Sequence, residues 1–175
     1  MVKDKENKWE NAYLAIIIVL AFVVSFLYVQ FLHPKEYHVN GLTIVSGRPP
    51  GSVLPELFAG DPIVMRMEMT PGTNPQNGVV TVLASEIAGV FALNERRIAS
   101  YGHIEGVPDE DAWINCVEET SFCKNERIVV KLDPCNCVKV ERDRVFLLFD
   151  EDQMRSTDLR LTIRAMFNGV LADAQ

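Results

Sequence analysis

Residues 62–93 read PIVMRMEMTPGTNPQNGVVTVLASEIAGVFAL. From Pro62 to Thr70 the pattern predicts a strand: Met65, Met67 and Met69 fall on one face and Arg66 and Glu68 on the other, a period of two. Thr70-Pro71-Gly72-Thr73 is a turn by composition. Asn74 is placed as an N-cap and Pro75 as the first helical residue. The helix then runs to Leu93, with Asn94 expected in the left-handed cap. A strand feeding a helix through a short turn is the unit of an α/β fold.

Working outward, Leu42–Val45 is a short strand candidate, Gly47–Gly51 a loop and Ser52–Phe58 a short helix. On the other side, Arg97–Glu105, Arg127–Leu132, Cys137–Glu141 and Arg144–Phe149 read as strands. Asp143 marks a tight hairpin between the last two. A closing helix near Ser156–Phe167 carries Leu159, Ile163, Met166, Phe167 and Val170 at helical spacing and is expected to stop at Asn168-Gly169. Strands alternating with helices predict a small α/β sandwich. The late hairpin makes its sheet mixed and partly parallel, with an antiparallel edge.

A different segment governs location. Asn11–Leu32 runs for 22 residues without a charge. As a helix it is roughly 33 Å long, the thickness of a bilayer's hydrocarbon core. Tyr13 and Tyr28 near its ends, with Trp9 outside, suit the interfacial belt. It is longer than a signal peptide's apolar region and exits through Gln30–Pro34 without a small-x-small cleavage site. The expected organisation is a cytoplasmic tail (1–10), a transmembrane helix (11–32), a short tether (33–40) and an extracytoplasmic α/β domain (41–175). Lys3, Lys5 and Lys8 before the helix, against Lys35 and Arg48 after it, give a weak inside bias to the N-terminus.

All four cysteines fall between Cys116 and Cys137, spaced C-x6-C-x11-C-x-C. Outside the cytoplasm an even, clustered set reads first as disulfides, with Cys116–Cys123 the leading local pair. Cys135 and Cys137 are then left as a C-x-C, whose alternative is thiol–disulfide redox chemistry. A zinc site of the four thiolates is the third reading. It is the poorest, because neither half has the spacing that lets one turn supply two ligands.

Several other residues carry candidate chemistry. The loop residues Gly72, Thr73, Asn74, Gln76 and Asn77 sit where open α/β sheets bind ligands, but the glycine-lysine and G-x-G-x-x-G signatures of phosphate and dinucleotide sites are missing. The Met65, Met67, Met69 face invites copper(I). Sulfurs on residues two apart in a strand are roughly 6.6 Å apart, too far to converge easily on one ion, so core packing is expected. His103 is placed to pair with Glu105 on one strand face. The helix to Leu93 is apolar almost all round. Its small residues Ala84, Ala88 and Ala92, with Glu86 its single interior charge, are the expected contact with the sheet or with a protein partner or second copy.

Residues 33–175 hold 14 Lys/Arg and 21 Asp/Glu. That net negative charge opposes nucleic-acid binding. No paired-carboxylate, nucleophile–base, cofactor or metal signature is present. The sequence therefore points to a membrane-anchored extracytoplasmic interaction or assembly module without catalysis of its own.

Overall fold

The computed structural model describes residues 3–29, 33–60, 62–72, 75–104, 106–107, 113–114 and 126–173. Cys116, Cys123, Thr73, Asn74, Glu105 and the acidic run 109–111 lie outside the described residues. The chain forms two compact units, 1–34 and 35–175.

The first unit is the helix α1, Lys3–Leu27. From Ala12 to Val29 every side chain is exposed, Phe22 at 72%. The described apolar stretch of α1, Ala12–Leu27, is shorter than eighteen residues. The helix that is long and apolar enough to cross a membrane, among the described residues, is Pro75–Leu93 of the second unit. It is a core helix there.

The second unit contains β1 (Lys35–Val39), β2 (Leu42–Ser46), α2 (Pro50–Phe58), β3 (Ile63–Met69), α3 (Pro75–Leu93), β4 (Ile98–Ile104) and β5 (Trp113–Ile114). Then come β6 (Ile128–Leu132), β7 (Cys137–Glu141), β8 (Arg144–Phe149), α4 (Glu151–Arg155) and α5 (Thr157–Asp173). They build one mixed sheet in the order β1-β2-β7-β8-β6-β3-β4-β5. β8, β6, β3 and β4 run parallel to one another, and β1/β2, β7/β8 and β4/β5 are antiparallel. The expected α/β architecture with a mixed, partly parallel sheet is what the molecule adopts. The β7–β8 hairpin, expected at an edge, lies inside the sheet. The antiparallel edges are β1–β2 and β4–β5.

Lys35–Val39, expected within a tether, is an edge strand. Asn40 (φ 50°) and Gly41 (φ 84°) turn it back onto β2. Two consecutive left-handed residues match the right-handed twist of the paired strands, and Asn-Gly is the pair that adopts them at least cost.

The alternation of each strand divides the sheet. Ile44, Met65, Ile128, Val130, Val138, Val145, Leu147 and Phe149 face the helices and share one core with α2, α3, α4 and α5. At its centre Phe58 (α2), Phe91 (α3) and Phe167 (α5) meet, with ring centroids 5.5–5.8 Å apart in tilted and edge-on pairs, the arrangement aromatic quadrupoles favour. Met65 is fully buried and Met67 packs against this core, so the methionine face fills space.

Two helix ends differ from expectation. At the end of α3 the left-handed residue is Glu95 (φ 57°), one beyond Asn94. Arg96 N–H reaches Phe91 O (2.9 Å) and Glu95 N–H reaches Ala92 O (3.1 Å). That double closure makes Asn94 the last half-helical residue and Glu95 the left-handed one. α5 does not stop at Asn168-Gly169 but runs to Asp173, because Val170 and Leu171 beyond the glycine are buried. Their burial outweighs the roughly 1 kcal/mol helix penalty of one glycine.

Candidate functional site

The carboxyl ends of β3, β6 and β8 lie along one edge of the sheet, and two sequence-predicted sites meet there. β6 does not pair with β7. Residues 133–136 arch over the end of β8, which lies between them. Asp133 N–H donates to Phe149 O (3.0 Å), and Cys135 N–H to Asp133 Oδ1 (2.8 Å). Cys135 and Cys137 are joined by a disulfide across Asn136, Cα atoms 5.3 Å apart. Asn136 is left-handed (φ 51°), a conformation asparagine tolerates better than most residues.

The Asn136 amide clamps the residue at which β8 becomes α4. Its Nδ2 donates to Asp150 Oδ2 (2.7 Å), and its Oδ1 accepts Asp150 N–H (2.9 Å). Asp150 also caps α4, accepting Gln153 N–H at 2.8 Å. These donors, Gln153 first and then Asn136, hold the Asp150 carboxyl below its ordinary range. Glu151 is likewise lowered, by Arg155 and then by Gln76. Through Gln76 the first turn of α3 is tied to α4. Cys135 is exposed, whereas Cys137 is 2% exposed at the start of β7.

The loop itself is closed by its own groups. Asn77 Nδ2 donates to Thr70 O (3.0 Å) and Gly72 O (3.3 Å), and Asn77 Oδ1 accepts Thr70 N–H (3.0 Å). Asn77 is therefore a brace between β3 and α3, not a group aimed at a ligand. Gly72 is exposed with φ 85° and forms the turn. Beside this edge, Pro75, Gly78, Val79 and Val82 of α3 form a depression with Met154, Arg155 and Arg160. Both arginines are paired, Arg155 with Glu151 (2.6 Å) and Arg160 with Glu86 (2.9 Å).

A second cluster occupies the sheet face opposite the described helices. Strand pairing puts Arg66 beside Tyr101 and Glu68 beside His103. Glu126, just before β6, is 4% exposed. It accepts from Tyr101 Oη (2.7 Å) and pairs with Arg66 (3.2 Å) and Arg144 (2.6 Å). Arg66 continues to Glu68 (2.6 Å), and Glu68 to His103 Nδ1 (2.8 Å). Burial, then the hydrogen bond to Glu126, push the Tyr101 phenol well above its ordinary range. A buried carboxylate is tolerable when surrounded by such donors. The chain of charges ties β3, β4, β6 and β8 together on this face. His103 thus finds Glu68 across the strands; Glu105, its expected partner, lies outside the described residues. Alternation alone placed Arg66 and Glu68 opposite the methionines; only strand pairing reveals what they meet.

The small-residue strip of α3 does not form one surface. Ala84 is 2% exposed within the core, Ala88 is half-buried and packed, and Ala92 is exposed. The outward face is instead Gly78, Val82, Ser85, Gly89 and Leu93. So α3 is not buried on all sides, and Glu86 is held by Arg160 from α5. No family model matches this chain, and neither a curated protein nor a solved structure matches it.

Proposed function

We propose that this is a single-pass membrane protein whose α/β domain acts outside the cytoplasm as an interaction or assembly module. Residues 11–32 form the anchor, and the N-terminus lies inside. The observation that carries the reading is the unbroken exposure of the apolar run from Ala12 to Val29. Leaving a Leu, Ile, Val or Phe side chain in water instead of burying it costs roughly 1.5–3 kcal/mol. Helices satisfy their own backbone groups, so lipid is the solvent that suits this surface. α3 meets the length criterion that the described stretch of α1 falls short of, but seven of its side chains are buried in the domain.

The assembly half of the reading is supported by the outward face of α3. Gly78, Val82, Ser85, Gly89 and Leu93 recur every three or four residues without a charge, with Val82 47% and Leu93 74% exposed. A Cβ on Gly78 or Gly89 would meet nothing within 4 Å. Another helix backbone can approach closely there, from a protein partner or a second copy.

Alkaline carbonate extraction of membranes carrying the full chain tests the anchor: the protein stays in the pellet with its N-terminus intact. Recovery of a mature form beginning after residue 30 rejects it. A membrane-impermeant amine reagent labels the domain lysines in intact cells if the topology is right. Protection until the membrane is permeabilised reverses it.

A further inference from the structure

We propose that the Cys135–Cys137 disulfide exchanges with thiols, oxidising a dithiol of a partner protein, and that Cys135 Sγ is the atom attacked. Exchange requires in-line access to a sulfur. Cys135 lies exposed on the arch, while Cys137 is 2% exposed under it. The arch is also held by bonds that involve no sulfur. These are Asp133 N–H to Phe149 O, Cys135 N–H to Asp133 Oδ1 and the two-point grip of Asn136 on Asp150. Opening the ring therefore leaves the backbone in place, so the pair can cycle without unfolding the sheet edge.

A partner thiolate attacks Cys135 Sγ. The Cys135–Cys137 bond breaks, its electron pair leaves on Cys137 Sγ, and that sulfur takes a proton from water. The partner's second thiolate then attacks its own sulfur in the mixed disulfide and releases Cys135, which is protonated in turn. The partner gains one disulfide and gives up two electrons and two protons; the C-x-C becomes two thiols. Asp133 belongs to the arch and Asp150 is gripped by it, while Arg155 offsets the charge of Glu151. The charge of Asp133 and Asp150 favours a dithiol flanked by Lys or Arg over an acidic one. The proposal does not rest on the anchor's orientation, and its test uses the purified full chain in detergent.

Two synthetic dithiol peptides, one with lysines and one with glutamates beside its cysteines, serve as probes. After alkylation and trypsin, residues 132–139 (LDPCNCVK) report this pair separately from Cys116 and Cys123. The expected result is one lysine peptide oxidised per chain, with both cysteines of 132–139 becoming alkylated. The glutamate peptide reacts more slowly, and the gap narrows in high salt. In Cys137→Ser the remaining thiol forms a mixed disulfide with oxidised peptide at least about tenfold faster than the one in Cys135→Ser, as accessibility dictates. Circular dichroism on both variants confirms folding, and the wild-type stoichiometry stands without them. A pair that resists the peptides until the chain is denatured overturns the proposal. So do equal rates for the two single-cysteine variants, or a faster glutamate peptide.

Discussion

Tyr101→Phe is the most discriminating test of the sheet face opposite the described helices. The substitution removes one oxygen and keeps the ring, which is 3% exposed. That oxygen donates to Glu126 Oε2 at 2.7 Å, and Glu126 is itself buried. A hydrogen bond to a charged group contributes about 1.5–3 kcal/mol. Arg66 and Arg144 both pair with Glu126 Oε1, so the oxygen that Tyr101 serves gains no replacement from them. The expected loss is therefore about 2 kcal/mol at pH 7, or roughly 8 °C in Tm for a domain of this size. Urea unfolding of wild type and variant measures it. A second signature comes from pH. Tyr101 has its folded-state pKa raised, so its neutral form is favoured in the native protein. Below the unfolded value near 10 the phenol is protonated in both states and adds no pH dependence. Above it the unfolded chain ionises first, and wild-type stability falls as pH rises. Tyr101→Phe lacks that component, so the two stability curves converge between pH 10 and 12. A loss below about 0.5 kcal/mol at pH 7, or curves that stay parallel in alkali, refutes the arrangement.

Four further outcomes follow from the structure. Phe167→Ala, at the junction of three rings, destabilises by about 3–5 kcal/mol in urea titrations, whereas Phe167→Leu costs well under half of that. The lowered carboxyls of Asp150 and Glu151 contribute stability that is present above their unfolded pKa values and lost as pH falls through the folded ones. Asp150→Ala therefore shows a shallower acid unfolding curve by circular dichroism. Ala84→Leu overpacks the core, costing about 1–3 kcal/mol. Val82→Asp leaves thermal stability intact and lowers self-association or partner capture by analytical ultracentrifugation. A strictly monomeric wild type that captures no partner removes the role assigned to α3's outer face.

The local grammar of the chain was largely readable. Asn74-Pro75 and the apolar run after it place α3 at Pro75–Leu93, and the alternation around Asp143 places β7 and β8 to the residue. Lys35–Val39 reads as a tether beside the apolar segment, although Asn40-Gly41 is a strong hairpin signal and the segment pairs with β2. Lateral order was not readable. Asp143 signals the β7–β8 hairpin, but nothing local says that β8 also pairs with β6, so the Asn136–Asp150 grip stays hidden. The same holds for Glu126, whose partners Arg66, Tyr101 and Arg144 come from three different strands. Ala84, Ala88 and Ala92 repeat every four residues, yet a 3.6-residue turn carries them progressively round the helix, from core to solvent.

The arch of residues 133–136 also constrains the order of assembly. β6 and β7 leave the ribosome before β8, yet they end up on either side of it. With strands about 4.8 Å apart, the gap to be kept open is roughly 10 Å, and four extended residues reach only about 13 Å. A direct β6–β7 hairpin is the nearest competing pairing, and it would have to be undone before the sheet could close. The middle of the sheet therefore waits for Phe149 to emerge, and β1–β2, made 100 residues earlier, docks onto β7 once that slot is filled. A chain truncated before residue 144 should hold β6 and β7 in a trapped, protease-sensitive form that a peptide of residues 144–175 converts to the native one.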